Sequence, residues 1–203
     1  MTGAANVPEF KHYFYTGILW IILYTKWPVV GIYLYHAALF SCLLMLSLMD
    51  IDRLRCPKWL AGIMICTFAG LSIGIPTLQP VKFTHHLPDY FQEALPASSI
   101  PVVTCVAGGL IGWFLTSIIQ YLCSSRKLTP PSSSAFPLAG TLVGIVLGWQ
   151  AIVTILLFTI VVLAAMYGIE RMLKKRLLAP ETIIFSVVTF LHHPLWRWFD
   201  GFW

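Results

Sequence analysis

Seven apolar runs separated by short polar stretches set the pattern of this chain: Tyr13–Thr25, Pro28–Met49, Trp59–Ile75, Pro101–Cys123, Phe136–Trp149, Gln150–Met166 and Ile183–Leu191. A helix rises about 1.5 Å per residue and a bilayer's hydrocarbon core is about 30 Å thick, so the second and fourth runs cross it comfortably. The first, fifth and last are short, and tilt into flanking aromatic residues or insert only in part. The pattern predicts an all-α fold, a polytopic membrane helix bundle with about seven transmembrane segments, forming a single domain over residues 1–203. Between the runs, Thr129–Ser134 reads T-P-P-S-S-S, a turn-forming linker, and Thr77–Ser99 is the longest loop.

Composition agrees with the membrane class. Of 203 residues, 58% are hydrophobic and 10% charged, and the mean hydropathy is +0.81, which leaves too little polar surface for a soluble globule. The net charge of +5 then points to loops facing the cytoplasm and anionic lipid, and nucleic acid is excluded as a partner. Placing the loop after the second run in the cytoplasm gathers ten of the thirteen Lys and Arg on that side, leaving Lys26, Lys82 and Arg197 opposite. The N-terminus is then cytoplasmic and the C-terminus external, with Trp196, Trp198, Phe202 and Trp203 as an interfacial aromatic belt. The first apolar run lacks the basic start and small-residue site of a cleaved signal peptide.

Metal and cofactor chemistry find little support. Cys42, Cys56, Cys66, Cys105 and Cys123 are scattered without a C-x-x-C pair. The loop carrying Lys82, His85, His86, Asp89 and Glu93 reads as solvated, since adjacent side chains diverge, and His192 and His193 read the same way.

Acids at a membrane edge are the remaining candidates. Asp50 and Asp52 close the second run in S-L-M-D-I-D-R-L-R-C-P-K-W-L. Composition alone makes them a solvated helix end beside Arg53 and Arg55. The run, however, resembles the first conserved block of the bacterial type IV prepilin peptidases, approximately L-I-D-x-x-x-x-x-L-P-D-x-L-T, at Leu48, Met49, Asp50, Pro57 and Leu60. Lys58 stands where that family usually has Asp. A second stretch, L-A-G-T-L-V-G-I-V-L-G-W-Q over Leu138–Gln150, is similar to the family's K-L-L-A-A-L-G-A-W-L-G-W-Q, coinciding at Gly144, Gly148, Trp149 and Gln150. The blocks are in the family's order and spacing.

The resemblance implies an intramembrane aspartic-type endopeptidase of the bacterial inner membrane, acting on pilin or pseudopilin precursors of type IV pili or type II secretion. It makes Asp50 the match to the first catalytic aspartate. It also implies a second aspartate in a G-x-G-D motif, and Ser133, Ser134, Ala135 and Phe136 occupy that place, so Phe136 stands at the acid's position with Pro137 after it. Aspartic proteolysis needs one ionised and one protonated carboxyl together, and a single Asp cannot hold both states. Asp52 points about 200° away from Asp50 on a helix, and Glu170 is the other candidate substitute. The family's N-terminal zinc and methyltransferase portion has no counterpart in Met1–His12, so neither activity nor any cofactor is expected.

The expectation is therefore a prepilin-peptidase-like membrane protein impaired in proteolysis, with membrane lipid and pilin-type signal helices as partners; whether it is an enzyme stays open. Gly70, Gly108, Gly109, Gly140 and Gly144 could pack such a helix or the protein's own helices. One alternative is an active peptidase with a displaced second acid. The other is a small transporter or assembly scaffold, for which His36, the one ionisable residue well inside a long run, is slender support.

Overall fold

The computed structural model describes residues 27–75, 78, 99–125, 135–173 and 181–199, which form six α-helices and no strand. These are α1 (Trp27–Ile51), α2 (Lys58–Gly74), α3 (Ile100–Ser125), α4 (Ala135–Leu147), α5 (Trp149–Leu173) and α6 (Glu181–Phe199). Three are long and apolar enough to cross a membrane, over Val30–Ile51, Ile100–Cys123 and Trp149–Ile169.

The helical membrane fold is thus present, but the described residues do not supply seven crossings. Tyr13–Thr25 lies outside them. The helices α2 and α4 are apolar but short, and thirteen residues reach only about 20 Å into a core of about 30 Å. The last apolar run is not a short stub, because α6 continues through His192 and His193 to Phe199; with Glu181, both histidines and Arg197 along it, α6 is not among the three spanning helices.

The shortest helix occupies the centre. Eleven of the thirteen residues of α4 are buried, and it packs against α1, α2, α3, α5 and α6. A helix apolar all round can be stable only where it is covered all round, and the other helices provide that cover. Their outer faces expose Leu34, Leu44, Trp113, Phe114, Leu157 and Val161, a surface for lipid and not for water.

Backbone contact between α3 and α4 is made possible by glycine. A Cβ added to Gly108 or Gly112 would collide with the carbonyl oxygen of Gly144 or Gly140 respectively, and one on Gly144 with that of Gly108. The two G-x-x-x-G faces therefore meet antiparallel, as small residues permit between helices in lipid. Gly109 is also taken, its Cβ position lying 3.0 Å from Ile145, whereas Gly70 has open space around it. Four of the five glycines noted in the sequence thus serve internal packing.

The α4–α5 corner is one residue, Gly148, at φ 88°, a left-handed conformation that suits glycine. Hydroxyls within the helices are satisfied locally: Thr116 donates to Gly112 O at 2.5 Å, Thr159 to Ile155 O at 2.7 Å and Thr189 to Phe185 O at 2.8 Å.

Candidate functional site

Asp50 lies in the last turn of α1, and the backbone that follows explains its placement. Arg53 adopts φ 55°, the Leu54 N–H donates to Met49 O at 2.8 Å, and the Arg53 N–H donates to Asp50 O at 3.1 Å. This paired closure is the Schellman arrangement, here built with arginine where glycine is usual. An acid at a helix C-terminus faces the negative end of its own helix dipole. The compensation comes from α6, whose N-terminal turn presents Thr182, and the Thr182 hydroxyl donates to Asp50 Oδ2 at 2.6 Å. The carboxylate therefore sits at the C-terminal end of one helix and the N-terminal, positive end of another.

The contact belongs to a polar seam between α1 and α6. One turn back from Asp50, the Ser47 and Ser186 hydroxyls are 2.9 Å apart; Ser47 also donates to Leu43 O at 2.8 Å, and Ser186 to Thr182 O at 2.7 Å. Further along, Phe40 meets Phe190 edge-on with ring centroids 5.3 Å apart. Thus α1 and α6 run antiparallel, with Asp50 and Thr182 at one end.

Phe136, in the first turn of α4, points into the core at 1% exposure and packs edge-on against Phe185 of α6, centroids 5.6 Å apart. Asp50 and Phe136 thus contact the first two turns of α6, through Thr182 and Phe185, and α1 also packs against α4. The position that the resemblance would give to a second acid holds an aromatic ring in an apolar contact. Pro137 is tolerated beside it because a helix's first-turn N–H groups have no partner within the helix.

Asp52 is exposed in the turn after α1, with its N–H donating to Leu48 O at 3.0 Å, so its side chain is not in the buried seam. Glu170 lies in the last turn of α5, and its side chain falls outside the described residues, as do Ser133, Ser134, His85, His86 and Asp89. Cys56 is buried in the α1–α2 connection, where burial pushes its thiol up and a hydrogen bond with the Ala61 backbone acts the other way. A raised thiol is a poor nucleophile, which argues against cysteine chemistry there.

A different acid is the one the sequence reading missed. Glu181, the first residue of α6, is only 7% exposed and adjoins Thr182, the donor to Asp50. The signal was available: P-E-T-I-I-F places an acid and a hydroxyl just after a proline and just before an apolar run, a helix-start pattern. An apolar run that begins at Ile183 excludes both. A second miss concerns His192 and His193, which are not solvated: His192 is buried, and His193 packs against His36 with ring centroids 4.5 Å apart. Periodicity explains His193, since residues 182, 186 and 193 recur on the face of α6 turned to α1.

An apolar groove of about 460 Å³ lies along the same two helices, lined by Phe40, Leu44, Leu48 and Ile51 from α1 and Val187 and Phe190 from α6, among others. Among the described residues no group of three metal-ligating side chains is suitably placed for an ion. No family model, curated protein or solved structure matches the chain.

Proposed function

We propose that this chain is a prepilin-peptidase-like protein of a bacterial inner membrane, impaired in proteolysis, which holds pilin-type signal helices in the bilayer. The observation that carries this reading is the occupancy of the paired-acid position: Phe136 is buried against Phe185, while the acid matched to the family's first aspartate is hydrogen-bonded by Thr182. An attacking water needs a carboxylate facing a protonated partner, and neither Phe136 nor exposed Asp52 supplies one beside Asp50. What remains is a membrane-edge acid beside an apolar groove of about 460 Å³, suited to the side chains of a partner helix lying in the bilayer.

The test is co-expression with prepilins, using a photocrosslinking residue in place of Leu44 within the groove. Uncleaved prepilin crosslinked to the chain is the expected result. Efficient cleavage that disappears in Asp50→Asn overturns the impaired reading.

One observation favours a second reading, an active peptidase with a displaced acid, and it is the burial of Glu181 next to Thr182. On that reading Glu181, and neither Asp52 nor Glu170, is the second carboxyl, and Glu181→Gln abolishes cleavage as completely as Asp50→Asn. If cleavage is found and Glu181→Gln leaves it intact, the second acid lies elsewhere.

A further inference from the structure

We propose that His36, His192 and His193 form a proton-binding site inside the bundle, and that its protonation parts α1 from α6 and widens the groove between them. This inference does not depend on the peptidase-like reading.

The argument starts from the residue types. Imidazole changes charge closer to neutrality than any other unperturbed side chain, and ionisable groups set among membrane helices are costly to keep without a purpose. Here two helices distant in sequence bring three together. His36 is 4% exposed and lies within the span Val30–Ile51; its ring stands 4.5 Å, centroid to centroid, from that of His193. His193 is also 5.5 Å from Phe40, and His192, adjacent to it, is 4% exposed. Nε2 of His36 is fully enclosed and has no hydrogen-bond partner among the described residues. It is an unpartnered ring nitrogen on an imidazole packed against a second one.

The charges that could offset an imidazolium are at a distance. Asp50 is fourteen residues from His36 along α1, about 21 Å at the helical rise, and Glu181 is eleven residues before His192 along α6, about 17 Å. Lys58 opens α2, α4 has no titratable residue, and Tyr167, Glu170 and Arg171 fall in the last two turns of α5. The nearer titratable groups are Tyr35, whose ring is 5.9 Å from that of His36 and whose hydroxyl meets Ser72 Oγ at 2.5 Å, the thiol of Cys105 on α3, and Arg197, one turn beyond His193 in sequence. None of these is an anion near neutral pH, so a proton taken up by the packed pair His36 and His193 meets no counter-charge among the described residues. A second proton places like charges in adjacent rings.

The direction follows. With neutral rings the seam is closed by ring packing; once the rings take up protons it loses that packing and gains repulsion. Phe40 and Phe190 connect this end to the groove, since both line it and they touch each other at 5.3 Å.

The experiment uses the full chain in lipid nanodiscs, with spin labels at Leu44 and Val187, exposed residues on the two groove walls. Lowering the pH from 7.5 to 3.5 should lengthen the interlabel distance in the otherwise unaltered protein, and in Asp50→Asn and Glu181→Gln, but not in the His36→Phe, His193→Phe double variant, where rings of similar size carry no proton. An unchanged distance, or an equal response in the double variant, overturns the proposal, as does loss of the response in either acid variant. If the double variant does not fold, imidazole NMR of the histidine-containing protein decides: His36 and His193 should titrate as a coupled pair, and independent titration at the ordinary imidazole value overturns it.

Discussion

At the residue scale the informative positions are those where a side chain works against its local backbone. Arg53 holds φ 55° to close α1, a region that costs an L-residue about 1–2 kcal/mol relative to the right-handed helix and costs glycine almost nothing. Arg53→Gly should therefore stabilise the protein by about 1 kcal/mol in reversible unfolding; a loss of stability would show that the arginine side chain contributes more than its backbone strain. Asp50 is the second such position, an acid at the wrong end of its own helix. Removing its donor with Thr182→Val, close to isosteric, should cost about 1–2 kcal/mol, the range for a hydrogen bond to a carboxylate that water partly reaches. If the hydrogen bond only fastens α6 to α1, Asp50→Asn should keep most of the stability, because an amide oxygen still accepts from Thr182.

At the scale of elements, the bundle is organised around the two glycine faces of α3 and α4. Replacing Gly112 or Gly144 by alanine drives a methyl group into a carbonyl of the partner helix. The helices must separate, at a cost of about 1–3 kcal/mol or more for overpacking. Gly70, with open space around it near the C-terminal end of α2, is the opposite case. Gly70→Ala should be neutral or stabilising by up to about 1 kcal/mol, since alanine is the better helix former. The measurement is a set of thermal or denaturant unfolding curves in one detergent, and equal losses at Gly70 and Gly112 would contradict the packing described. The same logic accounts for α4, which cannot be placed correctly unless the glycine contact and the Gly148 corner hold both of its ends.

For the whole molecule the open matter is how the bundle sits in a membrane. On seven crossings the thirteen Lys and Arg would divide ten to three, and the structure gathers Asp50, Arg53, Arg55 and Lys58 with the starts of α4 and α6 at one end, through the Phe136–Phe185 and Asp50–Thr182 contacts. The basic side of a membrane protein faces the cytoplasm. On the proposed topology a reporter inserted in the Ser124–Ser134 linker should behave as cytoplasmic and one fused after Trp203 as external. Both on the same side would remove the odd number of crossings and, with it, the seven-segment topology. An external Ser124–Ser134 linker would place Asp50 on the external face and count against the proposed peptidase-like reading.

What the sequence by itself determined is the medium and the segmentation. Six of its apolar runs correspond to α1–α6, with boundaries displaced by one or two residues except in α5, which runs on by seven, and α6, because apolar length and flanking Gly, Pro and charged residues are local properties. Asp50 was likewise legible as a helix-end acid. What only the tertiary structure decided is which residues distant along the chain meet. Glu181 and Thr182 looked like the end of a loop, and His192 and His193 looked like solvated polar residues, because no local signal says which helix will cover a given face. Once α6 lies antiparallel on α1, positions 182, 186 and 193 come onto one seam with 50, 47 and 36. The physical reason is that burial of a polar group is set by its neighbours across the bundle, and those are chosen by the packing of whole helices, above all by the close approach of α3 to α4 that holds α4 at the centre.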